Sequence, residues 1–149
     1  MKHIKNYLST LKKGINALDV IKLQKIEEII FNKIKKNKKI FICGNGGSAS
    51  VANHFLCDFN KGIKLSSNNK LKPKIISLSD NIETILAVAN DISFNKIFSF
   101  QLDNHYSKGD LVILLSCSGS SPNIIDTLNY CKKKKIYSIS ITGFAKRNI

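Results

Sequence analysis

Residues 39–60 read KIFICGNGGSASVANHFLCDFN. An apolar run ends at Cys43, glycines follow at Gly44, Gly46 and Gly47, and a helical pattern runs from Ser48 to Phe59. A strand that turns through glycines straight into a helix leaves backbone N–H groups and the positive end of the helix dipole facing whatever lies above. Both favour an anion, most often a phosphate. The stretch LVILLSCSGSSPNIIDTL, residues 111–128, repeats the plan with an apolar strand, a loop of serines, one cysteine and one glycine, and a helix opened by Pro122. Two such elements in one small domain point to a single site for a phosphorylated small molecule.

Outward from these stretches, the chain alternates. Residues 3–36 are helical in pattern, as two helices broken near Gly14–Asp19: Ile4, Leu8, Leu11 and Ile15 recur at helical spacing, as do Ile26, Ile29, Ile30 and Ile34. Strand Ile40–Cys43 and helix Ser48–Phe59 follow, and the polar residues Lys61–Lys72 read as a loop. Strand Lys74–Leu78 leads to helix Ile82–Ala89, with Asp80 as its expected N-cap. A further amphipathic helix covers 94–105. Then come strand Leu111–Leu115, helix Asn123–Lys134 and strand Ile136–Ile141. Strands alternating with helices predict an α/β fold: a three-layer αβα sandwich around a mainly parallel, doubly wound, flavodoxin-like sheet. The expected division is N-terminal helices over 1–36, for packing or oligomerisation, and an α/β domain over 37–149. Ligands of such sheets bind beyond the carboxyl ends of the strands, where the strand order reverses, and both loops open onto that edge. The last strand leads into Thr142-Gly143-Phe144, another strand-end loop, and the sequence ends at Ile149, so the domain reads as cut short at its C-terminal end.

The 149 residues suffice for one domain with a substantial core. With 43% hydrophobic and 23% charged residues, the composition is globular. Met1–Thr10 has neither the apolar core nor the small-residue cleavage site of a signal peptide, and no apolar run is long enough to span a bilayer. A cytoplasmic protein is expected. The formal charge of +14 raises a nucleic-acid reading, but Arg147 is the only arginine among 24 basic residues. Lysine is a poor bidentate reader of bases and phosphates, and no aromatics interleave with the lysine runs as a stacking platform needs. A solvated basic surface is the reading adopted. Cys43, Cys57, Cys117 and Cys131 contain no C-x-x-C pair and are read as reduced, ordinary buried thiols.

Gly44–Ala49 also satisfies G-x-G-x-x-A, the dinucleotide fingerprint. That fingerprint needs an acidic residue about 20 residues on, at the end of the next strand. The next strand ends at Leu78 with Asp80 beyond it, which is too far, and no G-K-[ST] follows the glycines. No nucleotide cofactor is expected. The serine-rich loop offers hydroxyls as well as N–H donors, and a phosphate can accept many of them at once. Cys117 lies near a helix N-terminus, but a phosphatase-type cysteine would want an arginine closing its loop, and none follows. His54 and Asp58 lie four residues apart on one helix face, where they could handle protons or hold a divalent metal beside a bound sugar phosphate.

With these residues in place, the chain resembles the sugar isomerase (SIS) domain family, and most closely its phosphoheptose isomerase branch. The resemblance covers about residues 5–144. It rests on CGNGGSA-x4-HF at 43–55, A-x-A-N-D at 87–91, F-x-x-I-F at 94–98 and S-x-S-G-x-S at 116–121. It implies a phosphorylated-sugar substrate, sedoheptulose 7-phosphate, isomerised to a heptose 7-phosphate through an enediol. It implies substrate contacts at Asn45, Gly46, Gly47, Ser48, Asn90, Asp91, Ser116, Cys117, Ser118 and Ser121. His54 matches a metal-ligand position in the zinc-binding members, and Asp58 falls where those enzymes carry a glutamate that is both ligand and catalytic base. Zinc is therefore the implied metal, with His54 and Asp58 its ligands here and the catalytic pair. The family precedent is a homotetramer with active sites at subunit interfaces.

The departures are specific. Aspartate at 58 withdraws the carboxylate by one methylene, Cys117 replaces the usual threonine and Ser120 the usual asparagine. The family's second catalytic histidine and its glutamine ligand lie on a last helix that these 149 residues do not reach. Aldose–ketose isomerisation moves a proton between C1 and C2, which takes a base and a partner for the oxygens. A second function class stays open: a non-catalytic phosphosugar-binding protein, or a scaffold of the replication-initiator-binding type, would keep the loops without needing the acid–base set.

Overall fold

A computed structural model describes residues 2–143. Helix α1 (Lys2–Asn16) and helix α2 (Val20–Lys35) are separated at Asp19, whose carboxylate accepts from the Lys22 N–H at 3.0 Å and caps α2. Then follow β1 (Lys39–Gly44), α3 (Gly47–Cys57), a π-helical turn (Asp58–Ile63), α4 (Lys64–Ser66), β2 (Lys74–Ser77) and α5 (Ile82–Asp91). A 3-10 turn (Phe94–Lys96), α6 (Ser99–His105), β3 (Leu111–Ser116), α7 (Pro122–Lys134) and β4 (Tyr137–Thr142) complete the described chain. The Phe144 end of the expected last loop lies outside the described residues.

The four strands form one parallel sheet in the order β2-β1-β3-β4. Alternation along β1 divides the core, as side chains of successive strand residues point to opposite faces. Phe41 and Cys43 join Leu78, Phe98, Leu102 and Ile124 under α5–α7, whereas Ile40 and Ile42 join Ile34, Ala52 and Ile75 under α2 and α3. Each such fully buried Leu, Ile or Phe side chain contributes roughly 1.5–3 kcal/mol. This is the three-layer, doubly wound α/β sandwich that the alternating pattern predicts. Helix α2 is part of that core, through Ile34, Ile26, Ile29 and Ile30. Helix α1 buries no residue, and Ile4, Leu8, Leu11 and Ile15 are all exposed along it.

The structure corrects the sequence reading at four places. Residues 61–72 are not all loop: the helix continues through the π-helical turn to Ser66. Tertiary contacts carry it on. The Asn60 amide accepts from the Ile75 N–H and donates to the Ile75 carbonyl, both at 3.0 Å, docking the turn on the edge of β2. The N-cap of α5 is Asn81, accepting from the Thr84 N–H at 2.7 Å, and not Asp80. The single helix expected over 94–105 is divided at Ile97–Phe98. Those two side chains are buried, while Lys96 Nζ and Ser99 Oγ both reach Asp126 on α7 at 2.5 Å, and this anchor outweighs helical continuity. Finally, only Cys43 and Cys131 are buried, whereas Cys57 and Cys117 are exposed.

Candidate functional site

Strand order places the site. From β1 the chain steps to β2 on one side, then crosses back to β3 on the other, so the carboxyl ends of β1 and β3 flank the point of reversal. Gly44 pairs with Leu115, which sets the loops after both strands side by side. The first loop turns within two residues because of its glycines. A Cβ on Gly44 would lie 2.6 Å from the Ser48 Cβ, so only glycine lets α3 start this close to its strand. Gly46 has φ +51°, a left-handed conformation that glycine adopts without strain. Neither N-cap residue, Gly46 for α3 or Ser121 for α7, makes a side-chain capping bond, although Asn123 Oδ1 accepts from the Ile124 N–H in the first turn of α7.

Above the two loops lies an open cleft of about 380 Å³. Asn45, Gly47, Ser48, Ser116, Ser118 and Ser121 line it, with Cys117 between the serines. The Ser48 hydroxyl and Cys117 thiol face each other across it at 4.0 Å. Ser116 is the least available of the hydroxyls: its oxygen accepts from the Gly119 N–H at 3.1 Å and lies 3.4 Å from the Ser121 hydroxyl. Ser121 makes no capping bond to α7, and its side chain lines the cleft beside that of Ser116. Gly46 supplies the turn and is not among the lining residues.

A second cleft is lined by Ser50, Val51, His54, Phe55 and Asp58. Val51 lines both, so the two adjoin at that side chain, with Ser48 and His54 about 120° apart around α3. At about 1.5 Å per residue, His54 stands about 9 Å along the helix from Ser48, within the span of a sugar phosphate. His54 Nδ1 lies 2.8 Å from Asp58 Oδ2, and both side chains are largely exposed. Asn90 and Asp91 are elsewhere: they end α5, are exposed, pair with each other at 2.8 Å, and line neither cleft.

Among the described residues, no three His, Cys, Asp or Glu side chains converge as a metal site would require. Residues 144–149, FAKRNI, contain none of these ligand types. A closed zinc site takes three or four protein ligands. His54 and Asp58 supply two, already bonded to each other, so the residues of one chain do not fit the ion unaided.

Two contributors were not read from the sequence. Ser79 holds the end of β1, accepting from the Gly44 N–H at 3.1 Å and donating to the Gly44 carbonyl at 3.0 Å. Asn123, in the first turn of α7, is fully buried and pairs with Asn45. The available signal was an asparagine amid an otherwise apolar and hydroxyl-bearing helix start.

The doubly wound sheet with two serine- and glycine-rich loops at its reversal defines a phosphosugar-type α/β domain. The chain belongs to the SIS domain family, whose model matches residues 3–143, and within it to the phosphoheptose isomerase branch. It is 33% identical over 137 residues to phosphoheptose isomerase 1 of Campylobacter jejuni, covering 89% of this chain and 70% of that one. It is 34% identical over 150 residues to the phosphoheptose isomerase of Clostridium acetobutylicum, covering 95% and 74%. Among solved structures, phosphoheptose isomerase GmhA from Neisseria gonorrhoeae superposes with a TM-score of 0.80 at 26% identity, covering 95% of this chain and 71% of that one.

Proposed function

We propose that the chain is an aldose–ketose isomerase that converts sedoheptulose 7-phosphate into D-glycero-D-manno-heptose 7-phosphate. The observation that carries this reading is the pair of clefts that adjoin at Val51, one over the two anion-binding loops and one at His54 and Asp58. The phosphate sits on the loop N–H groups and the hydroxyls of Ser48, Ser118 and Ser121. The carbon chain then runs along α3, which brings C1 and C2 to the carboxylate. Asp58 takes the proton from C1 while His54 or a water gives one to the C2 oxygen, forming the enediol. The proton on Asp58, or one exchanged with water, then goes to C2 while the same donor takes back the proton of the C1 hydroxyl, leaving the aldehyde. Hydrogens shift but none is gained or lost, so no redox partner is needed. His54, bonded to Asp58, orients the carboxylate and serves the oxygens.

Asn90 and Asp91 belong to this reading as substrate contacts completed by assembly, since they line neither cleft within one chain. The exposed apolar stripe of α1 supports a homo-oligomer, a tetramer by family precedent. Four free thiols support a cytoplasmic location, and among the described residues no helix is long and apolar enough to cross a membrane. The test is a direct assay of sedoheptulose 7-phosphate isomerisation together with calorimetric binding. Binding without turnover would replace the enzyme by a phosphosugar-binding protein, and the absence of both would overturn the substrate assignment.

A further inference from the structure

The geometry points to Asn123 as the positioning residue that holds the two anion-binding loops at a fixed separation. A buried side-chain amide is costly unless its groups are bonded. Asn123 is 0% exposed, and two of its side-chain bonds run to the other loop. Its Nδ2 donates to Asn45 Oδ1 at 2.8 Å, and its Oδ1 accepts from Asn45 Nδ2 at 2.8 Å and from the Ile124 N–H at 3.0 Å. The two amides thus close a reciprocal ring between the loop after β1 and the helix after β3. The contact between Ser48 and Cys117, at 4.0 Å, is at the limit for sulfur and cannot hold the loops. Asn123 is anchored in turn: the buried Thr127 hydroxyl donates to its carbonyl at 2.7 Å, one helical turn on.

A ring of two amides has direction as well as length. Each partner offers one donor and one acceptor, so aspartate at either position would oppose two acceptor oxygens and bury a charge. Asn45 itself lines the cleft. With its inner side engaged by Asn123, its backbone and remaining amide hydrogen are held towards the ligand. Asn123 touches no ligand and acts through Asn45.

This inference rests on the phosphate reading of the cleft, and the experiment separates the two. Binding of inorganic phosphate and of sedoheptulose 7-phosphate is measured by calorimetry for the wild type, Asn123→Ala, Asn45→Ala and the double variant. Melting temperatures confirm that each is folded. Asn123→Ala is expected to weaken both ligands about tenfold to a hundredfold, the scale of one or two lost hydrogen bonds at a charged group. KM should rise while kcat stays within about threefold, because loop contacts serve ground and transition states alike. The double variant should bind no more weakly than the weaker single one, as expected of two residues acting as one unit. Should Asn123→Ala fail to fold, amide hydrogen exchange in Asn45→Ala decides. Exchange at Gly119 and Ser120 should speed up, although no substitution lies in their loop, and unchanged exchange there overturns the proposal. A wild type that binds neither ligand removes the functional reading and this inference with it. A wild type that binds, beside an Asn123→Ala variant that binds equally well, removes this inference alone.

Discussion

His54 and Asp58 are joined at 2.8 Å across the junction where the α-helical geometry of α3 gives way to the π-helical turn. Short π-helical turns inside helices recur at functional sites. Here the turn begins at the carboxylate itself, and Asn60 pins it to the edge strand two residues later. If Asp58 is the base, Asp58→Asn keeps the shape and the acceptor for His54 but removes the proton-accepting charge. Turnover should fall by about 10²–10⁴, with sugar-phosphate affinity little changed. Asp58→Glu, which restores the longer reach, should raise turnover. Steady-state assays of both variants check this, and an Asp58→Asn enzyme within tenfold of the wild type would show that the base is elsewhere.

The phosphate end is tested separately. The hydroxyls of Ser118 and Ser121 both line the cleft. Removing them in Ser118→Ala/Ser121→Ala should weaken sedoheptulose 7-phosphate binding by about 1–3 kcal/mol, the scale for hydrogen bonds to a charged group. Ser116→Ala should cost stability more than affinity, since its hydroxyl supports the Gly119 N–H inside the loop. Equal calorimetric affinities in the wild type and the double variant would sink the assignment.

The fold and the two loops that meet at the sheet's edge were legible because they rest on local signals. Short apolar runs mark the strands, glycines mark the first turn, and Ser-Pro marks the start of α7. What escaped depends on contacts distant in sequence. Asn60 reaches Ile75, and Asp126 gathers Lys96 and Ser99. Asn123 reaches Asn45 across 78 positions. No periodicity reports where such a side chain finds its partner. The exposure of Cys57 was hidden for a related reason: a thiol in a helix carries no mark of the face it occupies until the helix is docked.

For metal, ligand counting gives the expectation. Two protein donors on one helix face, with no third converging among the described residues, should hold zinc weakly. Elemental analysis after extensive dialysis should find well under one zinc per chain. Stoichiometric zinc would mean that a second copy completes the site.

Thiol chemistry should divide the cysteines in two. Burial pushes the Cys131 thiol up to about 12 and raises Cys43 further, with Cys131 adding to the shift at Cys43. A raised pKa keeps a thiol protonated and unreactive at every pH below it, so near pH 8 neither should be alkylated in the folded protein. Cys57 and Cys117 are exposed and should react. Sedoheptulose 7-phosphate should slow labelling at Cys117, which lines the cleft, and leave Cys57 unchanged. Mass spectrometry of the modified peptides reads this out, and labelling of Cys117 that ignores the ligand would place the phosphate elsewhere.

Assembly is tested at α1, which carries an apolar stripe that its own domain leaves uncovered. Ile4, Leu8, Leu11 and Ile15 recur every three or four residues, and each is roughly half exposed or more. Fully burying such a side chain contributes roughly 1.5–3 kcal/mol, so four on one face are a strong drive towards a partner helix. A second copy of α1 presents the same stripe, and a self-complementary surface closes by symmetry. Leu8→Lys with Leu11→Lys sets like charges at the centre of that contact without touching the α/β core, where α1 buries nothing. The wild type is expected to run as an oligomer in light scattering coupled to size exclusion, and the double variant as a folded monomer with the wild-type circular dichroism. Because Asn90 and Asp91 line neither cleft within one chain, dissociation should also weaken sugar-phosphate binding if they complete the site across subunits. A monomeric wild type would rule out α1 as an assembly surface, and a monomeric variant with unchanged affinity would take Asn90 and Asp91 out of the site.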